Sequence, residues 1–150
     1  MLRFIVSVSL VTIASFLQTT NAILVWHVKP NLVFVLLAIL AHINKKWLAR
    51  SVIILISALI LKFSPSITWT DVIFISTAFL VVALVDYLPW RKIINSVAAT
   101  FVGAVVIGLS YFDLRVLALE TVINTILAII SFAAITLIYG KKEISKKNRF

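Results

Sequence analysis

Apolar and polar residues occur along this chain in long blocks rather than in alternation. Six apolar runs are separated by short gaps that hold most of the charged residues and all three prolines. The runs cover residues 4–26, 32–43, 51–61, 72–85, 93–112 and 121–139. Apolar runs of roughly 20 residues are typical of transmembrane helices. The pattern therefore predicts an all-α, polytopic integral membrane protein with about six transmembrane helices.

The second and third runs are short for a membrane crossing, and runs of this length can also form re-entrant hairpins. A re-entrant hairpin would leave Lys45, Lys46 and Arg50 in hydrocarbon, at a cost of ~2.5 to 3.5 kcal/mol for each charge. A spanning hairpin would place the same three charges in water. The position of the charges therefore favours two full crossings.

Tryptophans mark the ends of successive runs. Trp26, Trp47, Trp69 and Trp90 are separated by 21, 22 and 21 residues, and indole rings prefer the membrane–water interface. Composition agrees, because 63% of residues are hydrophobic, the mean hydropathy is +1.17 and 13% are charged. We expect one six-helix transmembrane domain over residues 1–140 and a basic cytoplasmic tail over 141–150.

The net charge of +9 raises the question of nucleic-acid binding. The cations lie in the gaps between apolar runs instead of on one basic face, so we expect no nucleic-acid partner. Alternate gaps carry eleven Lys and Arg residues on one side and three on the other, Lys29, Lys62 and Arg115. Because cytoplasmic loops retain positive charge during insertion, both termini are expected in the cytoplasm.

The N-terminal region also has the features of a signal peptide. Arg3 precedes an apolar stretch, and Thr20-Asn21-Ala22 offers a cleavage site after Ala22. The apolar run continues to Trp26, which favours a retained anchor. Cleavage would leave five crossings in the same orientation, so the charge count is compatible with both alternatives.

Candidate catalytic groups are few. The sequence contains no cysteine, and its two histidines, His27 and His42, are expected near opposite membrane faces. The five carboxylates lie at run boundaries or in the tail, where they would cap helices or pair with Arg91, Lys92 or Arg115. We therefore expect no enzyme activity, no metal site and no cofactor.

Local signals predict two helix starts. Pro30 suits the first position of the second helix. Thr68 and Asp71 have the spacing of a capping box at the start of the fourth, with Asp in place of Glu or Gln.

Small residues follow one face of the fifth run at Ser96, Thr100, Gly103, Ala104 and Gly108. Such a stripe lets another helix approach closely, either within the chain or from a second protein. The amides of Gln18, Asn95 and Asn124 would form polar contacts between helices or line an outer polar pocket. We favour contacts, because a pocket is expected to bring charged or aromatic residues as well.

The sequence of the first hairpin, formed by the first two apolar runs, resembles that of a known family. The segment Phe16-Leu17-Gln18-Thr19-Thr20 is followed by Lys29-Pro30-Asn31-Leu32 and an aliphatic run. This arrangement resembles the MreD family of rod-shape-determining membrane proteins. Residues 47–63 depart from the family pattern, since they contain neither the glycines nor the final acidic residue usual in its third helix.

The resemblance implies a non-catalytic component of the cell-wall elongation machinery in the bacterial inner membrane. Its partners would be membrane lipid, an MreC-like anchor and peptidoglycan synthases, with Gln18, Lys29, Pro30 and Asn31 as interaction residues. It also implies a fold similar to the substrate-binding subunits of energy-coupling-factor transporters.

That fold similarity supplies an alternative function, a small-solute-binding transporter subunit. Those subunits generally carry alanines four apart on the first helix, whereas one row here is Ser7, Val11, Ser15 and the other is Ala14, Gln18, Ala22. The scaffold interpretation is therefore preferred. Partner identity, oligomeric state and any bound ligand stay open.

Overall fold

The computed structural model describes residues 2–20, 24, 28–62, 68–109 and 113–147, with side chains up to residue 137. This part of the chain forms six α-helices. They are α1 (Leu2–Thr19), α2 (Leu32–Ile43), α3 (Trp47–Leu61), α4 (Trp69–Tyr87), α5 (Lys92–Gly108) and α6 (Leu114–Lys147). The predicted all-α class is confirmed.

Helix α2 lies at the centre of the bundle. The other five helices all pack against it, and they follow one another around it in the order α1, α3, α4, α5, α6. A helix surrounded in this way needs no polar face, and the residues of α2 from Val33 to Ala41 are buried apart from half-buried Leu36. The ring of Phe34 packs on Phe74 of α4 with centroids 5.0 Å apart. On another face of α2, Val35 and Ile39 pack against α6.

Three helices are long and apolar enough to cross a membrane: Leu2–Thr19, Trp69–Tyr87 and the Leu114–Leu137 part of α6. The apolar helices α2, α3 and α5 have 12, 15 and 17 residues. These lengths fall below the ~20 residues of a typical crossing. Six crossings therefore stay a prediction.

Helices α3 and α6 begin four and seven residues earlier than their apolar runs, and each of these extensions contains a buried ionisable residue. Helix α3 starts at Trp47, so Arg50 is a buried helical residue and its expected place in water is wrong. Helix α6 starts at Leu114 because Asp113 caps it, accepting from the backbone N–H groups of Arg115 and Val116 at 3.0 and 3.2 Å. Glu120, expected at a run boundary, is consequently buried within α6.

The start of α2 also differs from the prediction. Asn31 is the N-cap, and its Oδ1 accepts from the backbone N–H of Phe34 at 3.3 Å. Pro30 therefore precedes the cap instead of occupying the first helical position. The capping box of α4 is confirmed, since the N–H of Thr68 donates to Asp71 Oδ2 at 2.7 Å.

The C-terminal ends of α1 and α6 differ from those predicted by the apolar runs. Helix α1 ends at Thr19, and the hydroxyls of Thr19 and Thr20 both donate to the carbonyl of Phe16. The run predicted to continue to residue 26 passes mostly outside the described residues. Helix α6 continues through Gly140 to Lys147 instead of ending near Tyr139. Lysine and glutamate favour helix formation, and positive charge is stabilising at a helix C-terminus.

Candidate functional site

Gln18 and Asn31, from the two parts of the first hairpin, contact each other at the predicted outer end of the bundle. Gln18 Nε2 of α1 donates to Asn31 Oδ1 at 3.3 Å, and Gln18 Oε1 accepts from the N–H of Val33 at 3.2 Å. Asn124 of α6 joins them, because its Oδ1 accepts from the N–H of Asn31 at 2.7 Å. These three amides, which we call the outer node, connect α1, α2 and α6 around the start of the central helix.

Other predicted hairpin residues flank the outer node. Pro30 is fully buried and Lys29 is half-buried. Glu120 lies one helical turn before Asn124 and is 8% exposed, with Thr121 buried beside it. A carboxyl group in this position was missed from the sequence because α6 was expected to begin after it. The capping residue Asp113 was the available signal.

A cavity of about 340 Å³ adjoins the outer node between the ends of α3 and α4. We call it the outer crevice. Most of its wall is apolar and comes from the last two turns of α3 and the first two turns of α4. The described lining residues are Gln18, Asn31, Leu55, Ala58, Leu59, Leu61, Lys62, Thr70, Asp71, Phe74, Ile75 and Ile107.

Opposite charges lie at the polar end of the outer crevice. Lys62 Nζ is 3.8 Å from Asp71 Oδ2, and the two side chains are 18% and 21% exposed. The crevice thus combines amides with an ion pair and the ring of Phe74, which is the combination expected of a pocket. The amides Gln18 and Asn31 serve both as interhelical contacts and as lining residues. The sequence carried one signal, since Lys62 and Asp71 flank the same gap.

At the other end of the bundle, Arg50 connects three helices. Its guanidinium forms a two-pronged ion pair with Asp86 of α4, with Nη2 donating to Oδ1 at 3.1 Å. It also donates to the carbonyls of Ala41 and Asn44 at the end of α2, at 2.7 and 2.6 Å. Asp86 was one of the carboxylates expected to cap a helix, lie in solvent or pair with Arg91, Lys92 or Arg115, and it pairs with Arg50 instead. The role of Arg50 was missed because its charged partner is 36 positions away.

Further polar side chains at this end connect α1 and α5 to their neighbours. Asn44 Nδ2 donates to Ser7 Oγ of α1 at 2.8 Å. Asn95 Nδ2 of α5 donates to the carbonyls of Val85 and Leu88 at 3.1 and 2.7 Å. His42 Nε2 lies 3.0 Å from the carbonyl oxygen of Lys92 and 2.9 Å from Ser96 Oγ. We call the set formed by Arg50, Asp86 and these five side chains the inner node; the five are Ser7, His42, Asn44, Asn95 and Ser96.

The small-residue stripe of α5 faces the bundle interior. Ser96, Thr100, Gly103, Ala104 and Gly108 are all buried. A Cβ on Gly103 would lie 2.6 Å from Val81 Cγ2, and a Cβ on Gly108 would overlap the side chain of Leu117 in α6. Of the two partners left open by the sequence, the neighbouring helices α4 and α6 of the same chain occupy this face.

Within the described part of the chain, no group of three or more His, Asp or Glu side chains is arranged to hold a metal ion. Comparison of the chain with models of known families, with curated proteins and with solved structures found no match.

Proposed function

We propose that this chain is a non-catalytic scaffold of the bacterial cell-wall elongation machinery. It would lie in the inner membrane with both termini in the cytoplasm and would act by stoichiometric contact. Its partners would be a membrane anchor of the MreC kind and peptidoglycan synthases. The proposal starts from the resemblance of the first hairpin to the MreD family.

The observation that supports the proposal most directly is the contact between Gln18 and Asn31. These residues belong to the two separate parts of the family-like motif, 13 positions apart, and they bond to each other at 3.3 Å. The motif therefore acts as one structural unit that fixes the N-terminus of the central helix. A partner that binds this end of the bundle would meet the end of α1 and the start of α2 already held together.

The arrangement of the inner node is also that of an architectural protein. Arg50 directs its donors to Asp86 and to two backbone carbonyls, so its charge is used to hold helices together. Inside a membrane, charged residues with such fixed partners are the expected exception to the exclusion of charge. A rigid bundle of this kind is suited to present fixed surfaces to other membrane proteins.

Depletion in a rod-shaped bacterial host tests the proposal. We expect depleted cells to become round while their growth requirements stay unchanged. The tagged protein should recover an elongation protein from crosslinked membranes. The double variant Pro30→Ala/Asn31→Ala should weaken that recovery and still be inserted, whereas Ile13→Ala, at an exposed position of α1 outside the motif, should behave as the parent. Recovery of an ATP-binding cassette pair without wall-synthesis proteins would refute the scaffold proposal.

A second candidate, the small-solute-binding transporter subunit, is favoured by one observation. The outer crevice has a volume of about 340 Å³ and carries charged, amide and aromatic groups. Ligand sites of small molecules typically span ~300 to 1,000 Å³. Under this alternative, depletion would create a nutritional requirement and leave cell shape normal.

A further inference from the structure

The outer crevice opens through the side of the bundle. Leu55 and Leu59 of α3 line it, and they are 49% and 71% exposed. In a bundle that lies in a bilayer, exposed leucines on a helix flank contact lipid chains. A molecule already in the membrane can therefore reach the crevice laterally, between α3 and α4.

The lining of the outer crevice changes from apolar at one end to charged at the other. Leu55, Ala58 and Ile75 form its apolar part, and Lys62 and Asp71 lie at the end where α3 finishes and α4 begins. That end adjoins the gap between two apolar runs, where a bilayer changes from hydrocarbon to headgroups. The crevice thus has the same order of apolar and polar parts as a membrane lipid has.

The charges at the polar end select the headgroup. Lys62 Nζ and Asp71 Oδ2 are 3.8 Å apart, so both signs are presented within one small site. A headgroup with a single negative charge would be attracted by Lys62 and repelled by Asp71, and one with a single positive charge the reverse, so neither gains much from the pair. Asp71 Oδ2 already accepts from the N–H and the hydroxyl of Thr68. A zwitterionic headgroup would therefore add to an existing ion pair, with its phosphate accepting from Lys62 and its primary ammonium donating to the Asp71 carboxylate.

The volume limits how much of the lipid enters. About 340 Å³ is near the lower end of the range for ligand sites. The crevice has room for a headgroup and part of one acyl chain, and the remaining chain would lie along the exposed flank of α3.

We propose that the outer crevice is a binding site for a single zwitterionic phospholipid of the phosphatidylethanolamine class. The phosphate is held by Lys62, the ammonium by Asp71, and one acyl chain lies between α3 and α4. This site goes beyond the scaffold function. Gln18 and Asn31 both line the crevice and join α1 to α2, but the lipid contacts are assigned to Lys62, Asp71 and the walls of α3 and α4.

The test uses the full chain in vesicles that contain phosphatidylethanolamine with a photoactivatable acyl chain. After illumination, mass spectrometry locates the labelled peptides. We expect label on the lining segments of α3 and α4, and we expect unlabelled phosphatidylethanolamine to compete better than diacylglycerol. If α3, α4 and the exposed residues of α6 were labelled to the same extent, the proposal would be overturned. So would displacement by soluble glycerophosphoethanolamine, because that result would indicate a site for a free solute.

Two test variants and one control variant complete the experiment. Ala58→Phe fills the crevice and should lower labelling about tenfold, a loss of ~1.4 kcal/mol in binding. Ala134→Phe makes the same change at an exposed position of α6 and should leave labelling unchanged. Lys62→Met removes the contact to phosphate without filling the crevice, so it should abolish the preference over diacylglycerol. Parent-like labelling of Ala58→Phe, or an unchanged preference in Lys62→Met, would contradict the site.

Discussion

Arg50 of α3 and Asp86 of α4, 36 positions apart, form an ion pair that also closes the end of the central helix. The same guanidinium that binds Asp86 donates to Ala41 and Asn44, whose carbonyls lie in the last turn and at the end of α2. The ring of Trp47 covers it, with the guanidinium carbon 5.2 Å from the ring centroid. Arg50 is 3% exposed and Asp86 is 42% exposed. The two partners are therefore not equivalent.

Replacing Arg50 should cost more than replacing Asp86. Arg50→Met leaves two helix-end carbonyls and a carboxylate without their donor, and we expect a loss of about 2 to 4 kcal/mol. Asp86→Asn should cost less, about 1 kcal/mol, because water already solvates that carboxylate. Thermal unfolding in detergent measures both. Lys45→Met removes an exposed charge from the same end and should be neutral. Equal losses for Arg50→Met and Asp86→Asn would show that the carbonyl contacts contribute nothing.

The close approach of α5 to α4 predicts a coupled pair of substitutions. Gly103→Ala places a Cβ 2.6 Å from Val81 Cγ2 and should destabilise the bundle by about 1 to 3 kcal/mol. Val81→Ala removes the atom in conflict, so the double variant should lose less than the sum of the two single variants. Val105→Leu, at a half-buried position outside the stripe, should be near neutral. Additive losses in thermal unfolding would argue against this contact.

The outer node predicts a specific role for Asn124. Asn124→Ala removes the acceptor for the backbone N–H of Asn31, and an unsatisfied buried donor costs about 1 to 3 kcal/mol. Thr125→Ala, at the adjacent half-buried position, is the matched control and should have little effect. Hydrogen exchange should show faster exchange of the Asn31 amide in Asn124→Ala alone. Unchanged exchange at Asn31 would mean that Asn124 does not hold the start of α2.

The orientation inferred from charge can be tested with single cysteines, since the chain has none of its own. Lys45→Cys lies in the exposed connection between α2 and α3, and Leu114→Cys is at a 78% exposed position at the start of α6. In intact cells an impermeant thiol reagent should label Leu114→Cys and spare Lys45→Cys. The reverse labelling pattern would place both termini outside the cytoplasm.

Elements with local signals were predicted well. The apolar run 32–43 coincides with α2, because Asn31 caps one end and Asn44 and two lysines follow the other. The capping box at Thr68 and Asp71 likewise needs only neighbours in sequence. Two amides of the outer node, Gln18 and Asn124, were expected to contact other helices, although their partners were not known.

Elements whose bounds depend on distant partners were not predicted. From the sequence, Arg50 is predicted to lie in a loop because a charged residue is not expected inside an apolar helix. Its burial depends on the ion pair with Asp86, and no local pattern connects the two residues. Because Glu120 lies at the boundary of the last apolar run, the first two turns of α6 were not predicted. The outer crevice was set aside because its charges, Lys62 and Asp71, belong to different helices, and the fold brings them together with Gln18 and Asn31.

The shortness of the central helix has a consequence for how the protein is made. Twelve residues of α-helix span about 18 Å, well below the ~30 Å of a hydrocarbon core. Alone, α2 is a poor substrate for the insertion machinery, and its polar ends would be exposed to lipid. We expect it to leave the translocon together with α1 and α3 and to become enclosed as α4, α5 and α6 are synthesised. The helices would then assemble in the order of the chain, and the central helix α2 would be inserted before α4, α5 and α6, which later surround it.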